Sequence, residues 1–158
     1  MENIFVFGSN EQGFHGAGSA GYAMRGDSKN TWRKDRDFLK AMSAPPNSPN
    51  RKGKFAEFGI GRGFQEGKEG KSYAICTVTR PGNKRSISLD DIFRQICDLL
   101  FFAKEHQEYI FQCTPIGCGY AGYTEQEMKT VWDMALVVCP SSDNVILPKY
   151  NNVDVSET

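Results

Sequence analysis

The sequence predicts an α/β protein of three layers, α/β/α, with a mostly parallel central sheet. Three observations carry this expectation. Ile4, Phe5, Val6 and Phe7 form a short unbroken apolar run, the pattern of a strand covered on both faces. Amphipathic helix patterns alternate with such strands along the chain. Two glycine-rich stretches, residues 8–18 and 117–122, each follow a strand and precede a helix, and in open α/β sheets that rim is where ligands bind.

The elements follow in order. Residues 17–25 are rich in small side chains and are expected to be helical after the first glycine stretch. Residues 27–54 read as a surface insertion with Pro45, Pro46 and Pro49, few apolar residues and a short helix over 33–41. Its portion 43–53 is expected to be mobile. Its basic residues Arg33, Lys34, Arg36, Lys40, Arg51, Lys52 and Lys54 raise a nucleic-acid reading, set against the commoner one of a solvated charged face. Residues 55–61 alternate loosely, as a strand does, and 62–70 read as a charged glycine loop.

Residues 72–79 have strong β propensity and stop at the turn residues Pro81, Gly82 and Asn83. Ser88 caps the next helix, with Asp90 and Asp91 suited to its positive end. Leu89, Ile92, Phe93, Ile96, Leu100 and Ala103 form its buried face. Residues 109–114 are a strand. Thr124 and Glu127 form a capping-box pattern before a second amphipathic helix with Met128, Val131, Trp132 and Ala135 inward. Residues 144–147 are the last strand. The domain is expected to span 1–150, with a frayed polar tail at 151–158.

Composition narrows the function. Basic and acidic residues number 19 each, so no whole-protein positive field favours nucleic acid. The five cysteines, Cys76, Cys97, Cys113, Cys118 and Cys139, contain no CxxC pair, and no metal site is expected. Reduced thiols, the absence of a basic, apolar leader and the lack of a membrane-length apolar run argue for a cytoplasmic protein that makes no membrane contact.

The chemistry is expected at the two glycine stretches. In the first, Gly8, Ser9 and Asn10 end a strand, and Gly16, Ala17 and Gly18 open a helix, so backbone amides and a helix dipole are available to a phosphate. Asn10 offers an amide to a sugar or a water, and His15 is a candidate for phosphate contact or proton transfer. In the second, Gly117, Cys118, Gly119, Tyr120 and Ala121 could form an amide nest. Neither stretch has the P-loop form, and the glycines at 59, 61 and 63 lack the following helix of a dinucleotide fingerprint. Cys118 is expected to pack beneath its loop.

The stretch Pro115 to Tyr120 is similar to the ligand loop of macrodomains, and His15, Gly16, Ala17 and Gly18 resemble the helix entrance of the branch that contains terminal ADP-ribose protein glycohydrolases. The whole arrangement also resembles small phage-encoded macro-like proteins, whose setting would be the host cytoplasm. The resemblance implies a macrodomain-like fold and an ADP-ribose or related NAD-derived ligand, with no further cofactor. It places Gly16, Ala17 and Gly18 near the ribose and phosphates, Gly117, Cys118, Gly119 and Tyr120 around the diphosphate and distal ribose, and Ser9 and Asn10 at the rim. The lysine and aspartate of that branch correspond here to Val78 and Ala121, so any hydrolysis would fall to Asn10, Glu11 or His15. The expectation is a binder of ADP-ribose, whose enzymatic extension would remove ADP-ribose from a modified protein or nucleic acid. The alternative is a non-enzymatic interaction protein acting on a host protein or nucleic acid.

Overall fold

The computed structural model describes residues 1–156. Its sheet has five strands: β1 (Glu2–Asn10), β2 (Gly63–Glu66), β3 (Lys71–Val78), β4 (Tyr109–Cys113) and β5 (Val145–Ile146). They lie in the order β2-β3-β1-β4-β5, all parallel except β2, which runs antiparallel to β3 at the edge. The helices are α1 (Gly18–Arg25), α2 (Arg36–Ser43), α3 (Leu89–Glu105) and α4 (Glu125–Val138).

Alternation along β1 builds the three layers. Ile4 and Val6 enter the large core beneath α3 and α4, while Phe5 and Phe7 pack on the opposite face with Ala20 and Ala23 of α1. Ser88 caps α3 by accepting from the Asp91 amide, and Thr124 and Glu127 form the expected capping box on α4. The α3 face expected from periodicity is also the buried one, with Ile92, Ile96, Leu100 and Ala103 inaccessible to solvent.

Several local expectations are corrected. Residues 55–61 form no strand, and the edge strand lies one step later, inside the stretch expected to be a loop. The apolar pattern misses β2 because its buried position is Gln65, whose amide closes on the backbone of Glu57 and Ile60 (2.6 and 3.2 Å). The insertion is not loosely attached. Phe38 and Ala41 of α2 are buried with Met24, and Phe14, Trp32 and Phe58 pack around them with Phe14–Trp32 ring centroids 5.0 Å apart. Residues 43–53 are hydrogen-bonded rather than free: the Arg51 guanidinium donates to the carbonyls of Ala44 and Phe58 (3.0 and 3.1 Å).

The tail at 151–156 is also docked instead of frayed. The Glu125 carboxylate accepts from the amides of Asn151 and Asn152, Asp133 accepts from Ser156, and Val153 and Val155 pack on the main core. The last two residues of the expected tail, 157 and 158, lie outside the described residues.

Candidate functional site

The topology itself selects one place. From β1 the chain crosses one face, through α1, to reach β3; from β4 it crosses the other face, through α4, to reach β5 on the far side. β1 and β4 are neighbours, so their outgoing loops diverge to opposite faces, the arrangement at which open α/β sheets bind ligands beyond the strands' carboxyl ends. Both glycine stretches fall at this switch point.

The first loop is tied into shape by its own side chains. The Asn10 amide closes a ring on Phe14, accepting from its N–H (3.0 Å) and donating to its carbonyl (2.8 Å). His15 is wholly buried, with Nε2 against the Glu57 carbonyl (3.1 Å) and Nδ1 against Ser9 Oγ (3.0 Å). A carbonyl only accepts, so the ring proton sits on Nε2 and Nδ1 accepts from the serine. Burial lowers the His15 pKa to about 4, which keeps the ring neutral. Asn10 and His15 thus hold the loop in shape. Their polar atoms are spent on the loop, and neither stands open to a substrate. Arg25, itself buried, finishes the fastening by donating to the carbonyls of Gly16, Asp27 and Lys29 (2.7, 3.1 and 2.7 Å).

The fastened loop leads directly into the start of α1. Gly18 N–H donates to the Ser28 carbonyl (2.8 Å). No side chain caps the helix at Ala17, and the amides of Ser19 and Ala20 have no partner among the described residues. The other three α-helices each receive a side-chain cap, from Asp35, Ser88 and Thr124.

The second loop presents an outer and an inner half. Gly117 is required by packing: its φ is +88°, and a methyl group there would lie 2.2 Å from Met128 Sδ. Gly119, at φ +68°, has nothing within 4 Å of where a Cβ would stand, so its surroundings are open. Tyr120 is 68 % exposed, and its ring edge lies 3.0 Å from the Cβ position of Gly18, which brings the two loops together. Beneath, Ile116 and Ala121 are buried, and the Ile116 carbonyl accepts from Tyr150 Oη (2.8 Å), which in turn accepts from Trp132 (3.2 Å). Cys118 is half-buried, and burial, reinforced by Glu125 and Glu127, raises its pKa, so it is a protonated packing thiol. Gly8 is half-buried beside Thr77 and Ile116, and Ser9 is buried against His15.

A polar cluster beside the first loop was not visible from the sequence. Arg62 bonds the Glu11 carboxylate (2.6 Å) and grips Asp91 with two bonds (2.8 and 3.0 Å), and Asp91 accepts from Gln95 (2.9 Å). The Arg62 bond holds Asp91 below its usual pKa; Glu11 is lowered first by the Cys76 thiol and then by Arg62. These partners stand 51 and 29 positions apart, a separation with no local sequence signal. Cys76, buried and bonded to Glu11, is pushed up to about 12.

Two cavities lie away from the glycine loops. One of about 450 Å³ runs between α3 and α4, lined by Leu89, Phe93, Val131 and Met134 among others; one of about 190 Å³ lies between Arg25, Phe38 and Lys54. Among the described residues no group of acidic, histidine or cysteine side chains could hold a metal, and no helix is long and apolar enough to cross a membrane.

No family model and no curated protein matches the chain. The chain is similar in structure to a protein of unknown function from Bacteroides thetaiotaomicron, with a TM-score of 0.50, 14% identity, and coverage of 91% of this chain and 86% of that one. At that identity the likeness bears on the fold alone.

Proposed function

We propose that the protein binds ADP-ribose, or a related NAD-derived nucleotide, where the two glycine loops meet at the β1–β4 switch point. One observation carries the reading: α1 is the α-helix without a side-chain cap, and its free amides at Ser19 and Ala20 follow the loop that leaves β1 at that switch point. Such amides, together with the positive helix end, match a diphosphate. Tyr120, exposed and against Gly18, supplies an aromatic face beside them. The resemblance of both loops to macrodomain loops supports the same ligand class.

The proposal is of binding. Asn10 and His15 are engaged within the loop, and Val78 and Ala121 are buried apolar residues, so no bond-breaking step is assigned to them. Titration calorimetry with ADP-ribose tests the reading. Heat of binding with a thermal shift supports it; silence in both at millimolar ligand rejects it. Gly119→Glu places a carboxylate in the open space of the second loop and is expected to abolish binding. Unchanged affinity in that variant removes the second loop from the site.

A further inference from the structure

The charges of this neutral chain are sorted by layer. Residues 25–54 carry nine basic and three acidic side chains, a net of +6. Helices α3 and α4, across the sheet, carry seven acidic and three basic ones. Within the basic segment the acids are mostly spent on backbone: Asp27 accepts from the Lys29 amide and Asp35 caps α2. Arg25 is the cation of the segment that meets a carboxylate, Asp35, at ion-pair distance among the described residues. Lys29, Arg33, Lys34, Arg36 and Lys40 are all exposed and have no such partner among the described residues. Of the ten basic residues outside the segment, Arg62, Lys71, Arg85, Arg94 and Lys129 are paired, and the other five are scattered along the chain rather than clustered.

Aromatic rings interleave with these cations. The Arg33 guanidinium lies 4.3 Å from the Trp32 ring centroid, Tyr22 is 43 % exposed and stacks on Phe55, and Lys54 lies over that Phe55 ring at 6.0 Å. Unpaired cations able to follow a backbone, set beside aromatic rings that reach the surface, are the two features single-stranded nucleic acid uses, with Tyr22 the most exposed of the rings. An acidic peptide would use the cations and leave the rings without a role, whereas an anionic lipid surface also takes both and is separated by the vesicle arm of the test below. The segment is also rigidly presented, since Phe38 and Ala41 anchor it in their own small core.

We infer that the face formed by residues 25–54 together with Tyr22 and Phe55 binds single-stranded nucleic acid through its phosphates and bases. The inference stands independently of nucleotide binding at the glycine loops. Phosphate neutralisation there releases counterions, so affinity must fall steeply with salt.

Fluorescence anisotropy of the full chain with a labelled oligothymidylate of about 20 nucleotides tests this, read between about 50 and 200 mM salt. The triple variant Arg33→Gln/Arg36→Gln/Lys40→Gln is expected to lose at least about tenfold in affinity and to flatten the salt slope by about two to three. The charge-matched triple Arg80→Gln/Lys104→Gln/Lys149→Gln is expected to stay within about twofold of the parent. Should the first triple fail to fold, Lys29→Gln/Lys34→Gln carries the same expectation at smaller size. Absence of low-salt binding overturns the inference, as does equal loss in both triples or binding to anionic vesicles without binding to the oligonucleotide. Equal affinity for a duplex of the same length overturns the single-strand assignment.

Discussion

The two glycine loops approach each other at one switch point, but one helix they lead into is capped by a side chain and the other is not. At α4 a capping box closes: Thr124 and Glu127 exchange bonds across the first turn, Glu127 is further held by Arg85, and the amides of Glu125 and Gln126 are the ones without a partner among the described residues. At α1 the cap position is an alanine, and the amides of Ser19 and Ala20 are left over. Orphan amides at a helix start are normally met by a side chain, by water or by a ligand. The difference teaches that glycine content alone does not mark a ligand site. Gly117 is glycine because Met128 needs the space, whereas the first loop spends Asn10, His15 and Arg25 on fixing the chain that leads into an uncapped helix.

The strongest way to break this comparison is to give α1 the cap it lacks. Ala17 already has the extended φ and ψ of a capping residue, −149° and 175°. Ala17→Asp should stabilise the fold by about 1 kcal/mol and weaken ADP-ribose binding by at least about a hundredfold, because the new carboxylate takes the amides and repels phosphate. Chemical denaturation and calorimetry on the same sample read both effects. A stabilised variant with parental affinity would show that these amides do not receive the ligand.

His15 sharpens the comparison through pH. Its folded pKa of about 4 lies below the ordinary 6.5, so the unfolded chain takes up the proton first as pH falls. Stability from this group is therefore full above pH 6.5 and lost between 6.5 and about 4, at roughly 1.4 kcal/mol per pH unit and about 3 kcal/mol in all. The parent minus His15→Gln difference in unfolding free energy should show that slope. A flat difference would mean that the ring is not held neutral inside the loop. The smallest effect belongs to α4: Thr124→Ala should cost about 1 kcal/mol of stability and leave nucleotide affinity unchanged, since that cap serves the helix alone. A loss of affinity there would erase the distinction between the two loops.

Much of this was legible in the sequence where one side chain reports one environment. The unbroken apolar run of β1, the period of α3 and the capping box of α4 each identify their element locally. Both glycine loops were legible as strand-to-helix junctions. The rest depends on partners far along the chain. β2 hides because Gln65, a polar residue, fills its buried position by bonding to the backbone of Glu57 and Ile60. The docking of 151–156 rests on backbone amides meeting Glu125 and Asp133, which composition cannot reveal. His15 looks like a reactive group in sequence, and only the Glu57 carbonyl, 42 positions away, turns it into an internal strut. The pairing of Arg62 with Asp91 escapes notice for the same reason.

The central claim is that the uncapped start of α1 receives the phosphates, and amide-resolved NMR during an ADP-ribose titration tests it most directly. The account predicts saturable shifts that are largest at Ser19 and Ala20, accompanied by Gly119 and Tyr120, with Gln126 and Met134 of α4 unmoved. Shifts centred on the α3–α4 cavity, or none at millimolar ligand, would contradict it.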